Sequence, residues 1–252
     1  MENFTDFGFK KVKLGEKAGL VKDVFDKVAS KYDIMNDLMS SGLHRLWKDK
    51  MVEEINIKRG QEYKFLDVAG GTGDVSFRIA KKCDKLGAKA HIEVSDINQE
   101  MLDVGKKRAV DNNLFANLEF KWADGEKLPH EANQFDFYTI AFGIRNFTNI
   151  DKGLSEAHRV LKGGGKFVCL EFSKVNNEIL AKLYDLYSFN VIPKIGKLVA
   201  DDEESYRYLA ESIKKFPDPE KFKTMIETAG FKNVSYQTLT FGTVAIHIAT
   251  KD

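Results

Sequence analysis

Four residue positions in this chain have the types and spacing that a nucleotide site needs. The first is the stretch from Phe65 to Asp74, FLDVAGGTGD, where an apolar strand-like run stops at a glycine cluster. Val75, Ile79 and Cys83 follow on one face of a helix-compatible segment. Glycines let backbone approach a ligand with no Cβ in the way. A helix start aims unpaired N–H groups and a positive dipole end at whatever sits there. The second and third positions are acids, Asp96 in Val94-Ser95-Asp96 and Asp124 in Ala123-Asp124-Gly125. A carboxylate at Asp96 can accept both hydroxyls of a ribose, and one at Asp124 can accept from an exocyclic base amine, with Gly125 giving backbone access to the ring. The fourth is Ala141 to Asn146, AFGIRN, which places Arg145 and Asn146 just past a strand end.

Three nucleotide readings compete for the glycine stretch. A phosphate loop of the Gly-x-x-x-x-Gly-Lys-Ser/Thr type fails because no lysine follows Gly73. A dinucleotide fingerprint is matched by Gly71 and Gly73, but Ser76 stands in the third glycine position. What remains is an acid at the strand end followed by small residues at alternate positions: Asp67, Ala69, Gly71 and Gly73. The plain alternative is an ordinary glycine-rich βα turn, so the rest of the chain must decide.

The elements that position these residues alternate from residue 63 onward. Strand-like runs at 63–68, 90–95, 117–122, 135–142 and 165–172 are separated by helix-like runs at 74–84, 98–111 and 150–162. That order predicts a parallel sheet covered by helices on both faces. In such sheets ligands sit beyond the carboxyl ends of the strands, which is where all four positions fall. Before the first strand the pattern predicts an irregular arm over 1–16 and helices over 17–40 and 44–55, with Val21, Val24, Phe25, Val28 and Tyr32 forming one stripe. Residues 174–216 interrupt the alternation with a helix over 179–189, a bend at Pro193 and Gly196, and a helix over 203–215. Asp218-Pro219-Glu220 reads as a helix start, with the acid as N-cap and proline in the first turn. Two closing strands, 231–238 and 241–249, meet near Thr240 to Gly242. The domain reading is an arm and helical lid over 1–60 and a nucleotide-binding domain over 61–252, with an insert at about 174–216, all one structural unit.

Totals exclude several classes. The chain has 252 residues and a formal charge of +1, so no global field marks a nucleic-acid binder. Cys83 and Cys169 fall in a helix and a strand pattern, and both are expected to be buried; they form no disulfide framework, zinc site or redox pair. No secretory signal is evident at the N-terminus, and no apolar run reaches membrane-spanning length. A cytoplasmic location follows as the expectation, with peripheral contact at the inner face of a membrane left open.

The glycine stretch resembles motif I of the class I S-adenosylmethionine methyltransferases, with Ala69 in the usual first glycine position. The likeness then narrows. Tyr32-Asp-Ile-Met-Asn36 with Ser40, His44 and Trp47 resembles the first signature of the ubiquinone/menaquinone biosynthesis C-methyltransferases. Arg159 to Gly165 followed by Leu170 to Ser173 resembles the second, and Phe142 to Asn146 and Ser205 to Ser212 also match. The resemblance spans roughly Phe7 to Ala249. It implies an α/β fold with a seven-stranded, Rossmann-like class I methyltransferase sheet, an antiparallel final strand, an N-terminal helical lid and a helical insert before the last helix. The cofactor it implies is S-adenosyl-L-methionine, and no metal is needed. Asp67, Ala69, Gly71, Thr72, Gly73, Asp96, Asp124, Gly125 and Ala141 would then be cofactor-binding. Three departures stand out: Asp124 where the family often has Asn, Ala141 where Ser is common, and Gly163 where Pro is common.

The implied reaction is C-methylation of a polyprenylated quinol ring. A phenol carbon is a poor nucleophile until a neighbouring hydroxyl loses its proton. Arg145, supported by Asn146, is therefore expected to stabilise the developing oxyanion, and His44 to act as general base, with Asp33 and Tyr32 as second choices. Val21, Phe25, Met35 and Met39, with Leu183, Tyr187, Phe189, Ile192 and Ile195 of the insert, are candidates to line a groove for the isoprenoid tail. Lys182, Lys194 and Lys197 could meet a membrane surface. The reading allows contact with other quinone-biosynthesis enzymes and a homodimer, and excludes nucleic acid as a partner. Two other functions compete, an NAD-dependent oxidoreductase and a non-catalytic assembly factor of a quinone-biosynthesis complex. A nucleic-acid methyltransferase is disfavoured because no Asn/Asp-Pro-Pro-Tyr element follows strand four.

Overall fold

A computed structural model describes residues 4–28, 36–37, 40–175, 178–200 and 202–252. Its centre is a seven-stranded sheet. In chain order these strands are β3 (Glu62–Val68), β4 (Lys89–Asp96), β5 (Leu118–Trp122), β6 (Phe135–Ala141), β7 (Leu161–Phe172), β8 (Lys232–Leu239) and β9 (Val244–Thr250). They lie side by side as β5-β4-β3-β6-β7-β9-β8. The first five are parallel, and β9 runs antiparallel to both β7 and β8. This is the expected sheet with its reversed closing strand.

Strand β3 shows why the sheet forms. Phe65, Leu66, Asp67 and Val68 are all buried, the continuous burial of a strand covered on both faces. Successive side chains still alternate: Phe65 packs into the core under the lid side, with Met51, Ile79 and Val94, whereas Leu66 joins Tyr138, Leu154, Phe167 and Phe222 on the other face. The chain moves one way from β3 to β5 and the other way from β6 to β7, so a crevice opens between β3 and β6. Register then aligns the site. Val68 lies opposite Ser95 and Ile140, and Asp96 lies opposite Trp122, so Asp67, Asp96 and Ala141 reach the same edge of the sheet.

Helices cover both faces. On the nucleotide half they are α3 (Asp74–Leu86), α4 (Gln99–Asp111) and α5 (Ile150–Val160). Helix α3 starts after Gly73 and stops at Gly87, both in the left-handed region. Before the sheet come α1 (Leu14–Val28) and α2 (Leu43–Glu53). Trp47 and Met51 of α2 are buried against the sheet, each worth about 1.5–3 kcal/mol on removal from water. The insert holds α6 (Glu178–Asn190), α7 (Ile192–Ala200) and α8 (Glu203–Lys215), and α9 (Pro219–Thr228) follows. Asp218 caps α9 as expected, accepting from the Lys221 N–H with Pro219 in the first turn.

Three elements differ from the sequence expectation. The arm is a hairpin, β1 (Phe4–Phe7) with β2 (Lys10–Lys13), turning at Gly8 with φ 58°. It docks on the insert: the Phe7 ring stacks on Tyr208 with centroids 4.2 Å apart, and the Phe9 N–H donates to Glu211 at 2.9 Å. The Pro193 bend is instead the first turn of α7, where a proline loses no helical hydrogen bond. Strand β7 follows α5 directly at Leu161 and takes in Gly163 to Gly165, starting ahead of the strand expected from 165. Both cysteines are buried and free. Among the described residues no helix is long and apolar enough to cross a membrane.

Candidate active site

At the sheet edge a cleft of about 290 Å³ gathers Asp67, Ala69, Gly71, Thr72, Asp96, Asp124, Ala141 and Asn146, eight of the twelve site residues expected from the sequence. Gly73, Gly125, Arg145 and His44 are not on its wall.

The floor is built by backbone. Ala69, the residue after β3, lies in the left-handed region with φ 51°, and Gly71 does too with φ 52°. Gly70 is needed for packing: a Cβ there would lie 2.7 Å from Val94. Gly143, on the neighbouring strand end, faces the same constraint, because its Cβ would sit 2.5 Å from the Ala69 Cβ. Gly73 and Gly125 serve the fold instead. A Cβ on Gly125 would meet the Phe147 ring at 2.5 Å, and one on Gly73 would meet Phe77 at 3.2 Å.

Acids dominate the polar lining. Asp67 is 1% exposed and accepts from Ser76 Oγ at 2.6 Å and Thr139 Oγ1 at 2.8 Å. Burial nevertheless pushes its carboxyl up to about 6. Asp96 accepts the Gly71 N–H at 2.9 Å and the Asn98 N–H at 2.8 Å, which ties β4 to the glycine turn. Burial raises it to about 6 as well, against those two backbone bonds. Asp124 accepts the Glu126 N–H at 2.9 Å and holds a tight turn closed by the Lys127 N–H. Glu126, also on the wall, accepts from Thr148 N and Asn149 N, and burial raises its carboxyl.

The sequence reading missed the lid's polar contribution. Lys48 of α2 is 5% exposed, and its ammonium reaches the wall 2.8 Å from Asp74 Oδ2. Arg78 pairs with the same Asp74 and with Asp49 at 2.7 Å. Burial works to raise Asp74, but Lys48 and Arg78 outweigh it and bring the carboxyl down to about 2. No motif marks Lys48; it could have been found only as a lysine at the i+1 position beside a buried tryptophan.

Apolar side chains complete the lining: Leu14, Ala18, Val21 and Phe25 of α1, with Phe142 and Phe147. Helix α1 is tied to the floor by two polar bonds, Lys17 Nζ to Phe147 O at 2.7 Å and Asn98 Nδ2 to Asp26 Oδ1 at 2.7 Å. Of the expected tail-groove residues, Val21 and Phe25 line the cleft. The insert's Phe189 instead stacks on Phe9, and Ile192 is buried in the core. Met35 and Met39 lie outside the described residues, as do the side chains of Leu183 and Ile195.

Two chemical expectations need correction in placement. Arg145 does not project into the cleft. It sits in a short turn at Ile144–Asn146, and its Nη1 turns inward to Glu171 Oε1 at 3.0 Å and to the Phe142 carbonyl. A guanidinium that is 8% exposed requires such a partner, and Glu171 at the end of β7 supplies it. Burial raises the Glu171 carboxyl, with Arg145 working against that. Asn146 does line the cleft, its Oδ1 accepting from Tyr208 Oη at 3.0 Å. His44 is directed away from the wall: Nε2 meets Asp37 Oδ1 at 2.8 Å, and burial with nearby Lys48 lowers its pKa. Asp33 and Tyr32, the other base candidates, lie outside the described residues.

The residues present fit an adenosyl sulfonium. Five acids lining the cleft (Asp67, Asp74, Asp96, Asp124 and Glu126) suit a cationic ligand in a confined space. Asp96, fixed by two backbone donors, keeps lone pairs for a pair of vicinal hydroxyls.

Comparison with known proteins agrees. The chain is 56% identical over 245 residues to a ubiquinone/menaquinone biosynthesis C-methyltransferase UbiE of Brucella suis, covering 97% of this chain and 90% of that one. It is 53% identical over 250 residues to the UbiE protein of Rickettsia bellii, covering 99% of each. A SAM-dependent methyltransferase structure from Thermotoga maritima superposes with a TM-score of 0.62 at 16% identity, covering 91% of this chain and 99% of that one, which shows the fold. A family model described as the ubiE/COQ5 methyltransferase family matches residues 11–251, and with that span the chain belongs to this family of S-adenosylmethionine-dependent methyltransferases.

Proposed function

We propose that the protein methylates a ring carbon of a polyprenylated quinol, either 2-polyprenyl-6-methoxy-1,4-benzoquinol or demethylmenaquinol, in ubiquinone or menaquinone biosynthesis. One observation carries the reading: a single cleft is lined both by five acids and by apolar side chains of α1 and of the segment after β6. The names of the Brucella and Rickettsia relatives support the same acceptor. An oxidoreductase reading draws support from neither.

S-adenosylmethionine, when bound, supplies an electrophilic methyl group on a sulfonium. Asp96 accepts from the ribose hydroxyls, Asp124 from the adenine amine, and the Ala69–Thr72 backbone admits the ligand without side chains in the way. Asn146, its oxygen occupied by Tyr208, keeps its amide donors for the quinol oxygen that becomes anionic. Arg145 acts from behind: paired with Glu171 and bonded to the Phe142 carbonyl, it holds the turn that presents Asn146. The apolar wall excludes water and takes up the first isoprenoid units, each buried methylene being worth about 0.8 kcal/mol. Because that tail resides in a bilayer, the protein works at the cytoplasmic face of the membrane.

The test uses purified protein, S-adenosylmethionine labelled in its methyl group, and short-chain demethylmenaquinol and methoxy-benzoquinol kept reduced with dithionite. Label on a ring carbon of either quinol is the expected result. Binding of S-adenosylhomocysteine with no label on either ring would overturn the quinol assignment and favour a non-catalytic assembly factor.

A further inference from the structure

Among the described residues on the cleft wall, Lys48 is the one buried cation amid five acids; Lys22, the other wall lysine, is half-exposed and paired with Asp26. Lys48 arrives from the lid, on the turn of α2 whose Trp47 packs beside Phe142 and Phe172 and donates to Thr240 Oγ1 at 2.8 Å. Its ammonium ends at Asp74, the first residue of α3, at the mouth of the glycine turn. Burying an ammonium this deeply is costly unless its protons are used. Asp74, which also pairs with Arg78, takes one of the ammonium's three protons, which leaves Lys48 donors for a second anion in the cleft.

The ligand this family takes carries one such anion. Its adenosine and sulfonium carry no negative charge, but its methionine portion ends in a carboxylate. That group would be repelled by the acids that suit the rest of the molecule. Resting on the methyltransferase reading, we infer that Lys48 is the carboxylate-binding residue for the methionine end of the cofactor, delivered to the site by the lid.

The test compares two ligands by calorimetry. S-adenosylhomocysteine has the amino-acid end, and 5′-methylthioadenosine lacks it. In Lys48→Met, affinity for S-adenosylhomocysteine falls about 10- to 100-fold, the range for losing one charge-assisted hydrogen bond, while affinity for 5′-methylthioadenosine stays within about twofold. Lys48→Arg recovers part of the loss. Retained 5′-methylthioadenosine binding also shows that the variant is folded. Equal loss of both ligands, or of neither, would overturn the inference and leave Lys48 as a structural partner of Asp74. Failure of the unaltered protein to bind either ligand would instead overturn the methyltransferase reading and the inference with it.

Discussion

The two walls of the cleft are held by different means. The floor, from Ala69 to Thr72 with Asp96 and Asp67, continues the sheet: its carboxylates are fixed by backbone N–H groups, by the Thr139 hydroxyl of β6 and by the Ser76 hydroxyl of α3. The roof, α1 and α2, comes from outside the repeating fold. It is attached through side-chain bonds such as Lys17 to the Phe147 carbonyl, Asn98 Nδ2 to Asp26 Oδ1 and Lys48 to Asp74. A ladder of strands cannot shift without breaking many bonds together. The roof helices are held instead by buried faces, Val21 and Val24 of α1 and Trp47 and Met51 of α2, together with these few side-chain bonds.

The sharpest way to break this contrast is Asp96→Ala. The floor loses the acceptor for Gly71 N–H and for the ribose hydroxyls together, so S-adenosylhomocysteine affinity falls about 100-fold by calorimetry. A change below about fivefold would show that the floor does not hold the ligand. Next in size is overpacking of the floor's supports. Gly143→Ala drives a Cβ into Ala69, and Gly125→Ala drives one into Phe147. Each costs about 1–3 kcal/mol and lowers Tm by roughly 2–10 °C in scanning calorimetry. An unchanged Tm would mean that the strand ends are softer than described.

The floor's acids also give it a pH signature. Asp67 and Asp96 stand at about 6 in the ligand-free protein, against 3.8 for an unperturbed aspartate. Raised carboxyls favour the folded state while both states stay protonated, and that stability is lost as pH rises from about 4 through about 6. Ribose hydroxyls prefer the ionised form of Asp96, so cofactor affinity runs the other way and rises about tenfold between pH 5 and pH 7. Asp96→Asn flattens that rise; a rise that persists in Asp96→Asn would move the titration to another group. On the roof, Lys17→Met removes the bond to the Phe147 carbonyl. It raises the quinol KM about fivefold and leaves S-adenosylhomocysteine affinity within about twofold. Equal effects on both would mean that roof and floor act as one body.

The same contrast explains what could be read from the sequence. The floor was legible because its chemistry and its fold share one local signal: Asp67, Gly71, Asp96 and Asp124 all lie at or just past the carboxyl ends of β3, β4 and β5. The reversed closing strand was legible from Phe231 onward for the same reason. Arg145 was misplaced because a residue's position past a strand end does not say which way its side chain turns; burial and Glu171, on a strand 26 residues later, decide that. Lys48 was missed because its meaning depends on Asp74 across 26 residues and on no motif. The hairpin at Phe4–Phe7 and Lys10–Lys13 was missed because four-residue strands carry no periodic signal and gain their stability from docking on Tyr208 and Glu211.

The smallest expected effect tests the one floor position that departs from the usual glycine. Ala69 holds φ 51°, a conformation that disfavours any Cβ by roughly 1–2 kcal/mol. Glycine removes that strain but adds about 0.4–1 kcal/mol of freedom to the unfolded chain. The balance predicts that Ala69→Gly raises Tm by only about 1–3 °C. The Ala69 Cβ also fills space against Gly143, so the substitution leaves a small gap at the cofactor wall. If the strain dominates, Tm rises and S-adenosylhomocysteine affinity is unchanged within about twofold. If Tm falls, alanine at this position packs the floor against β6 more than it strains it, and the rigidity assigned to the floor rests on side-chain contact as well as on the strand ladder.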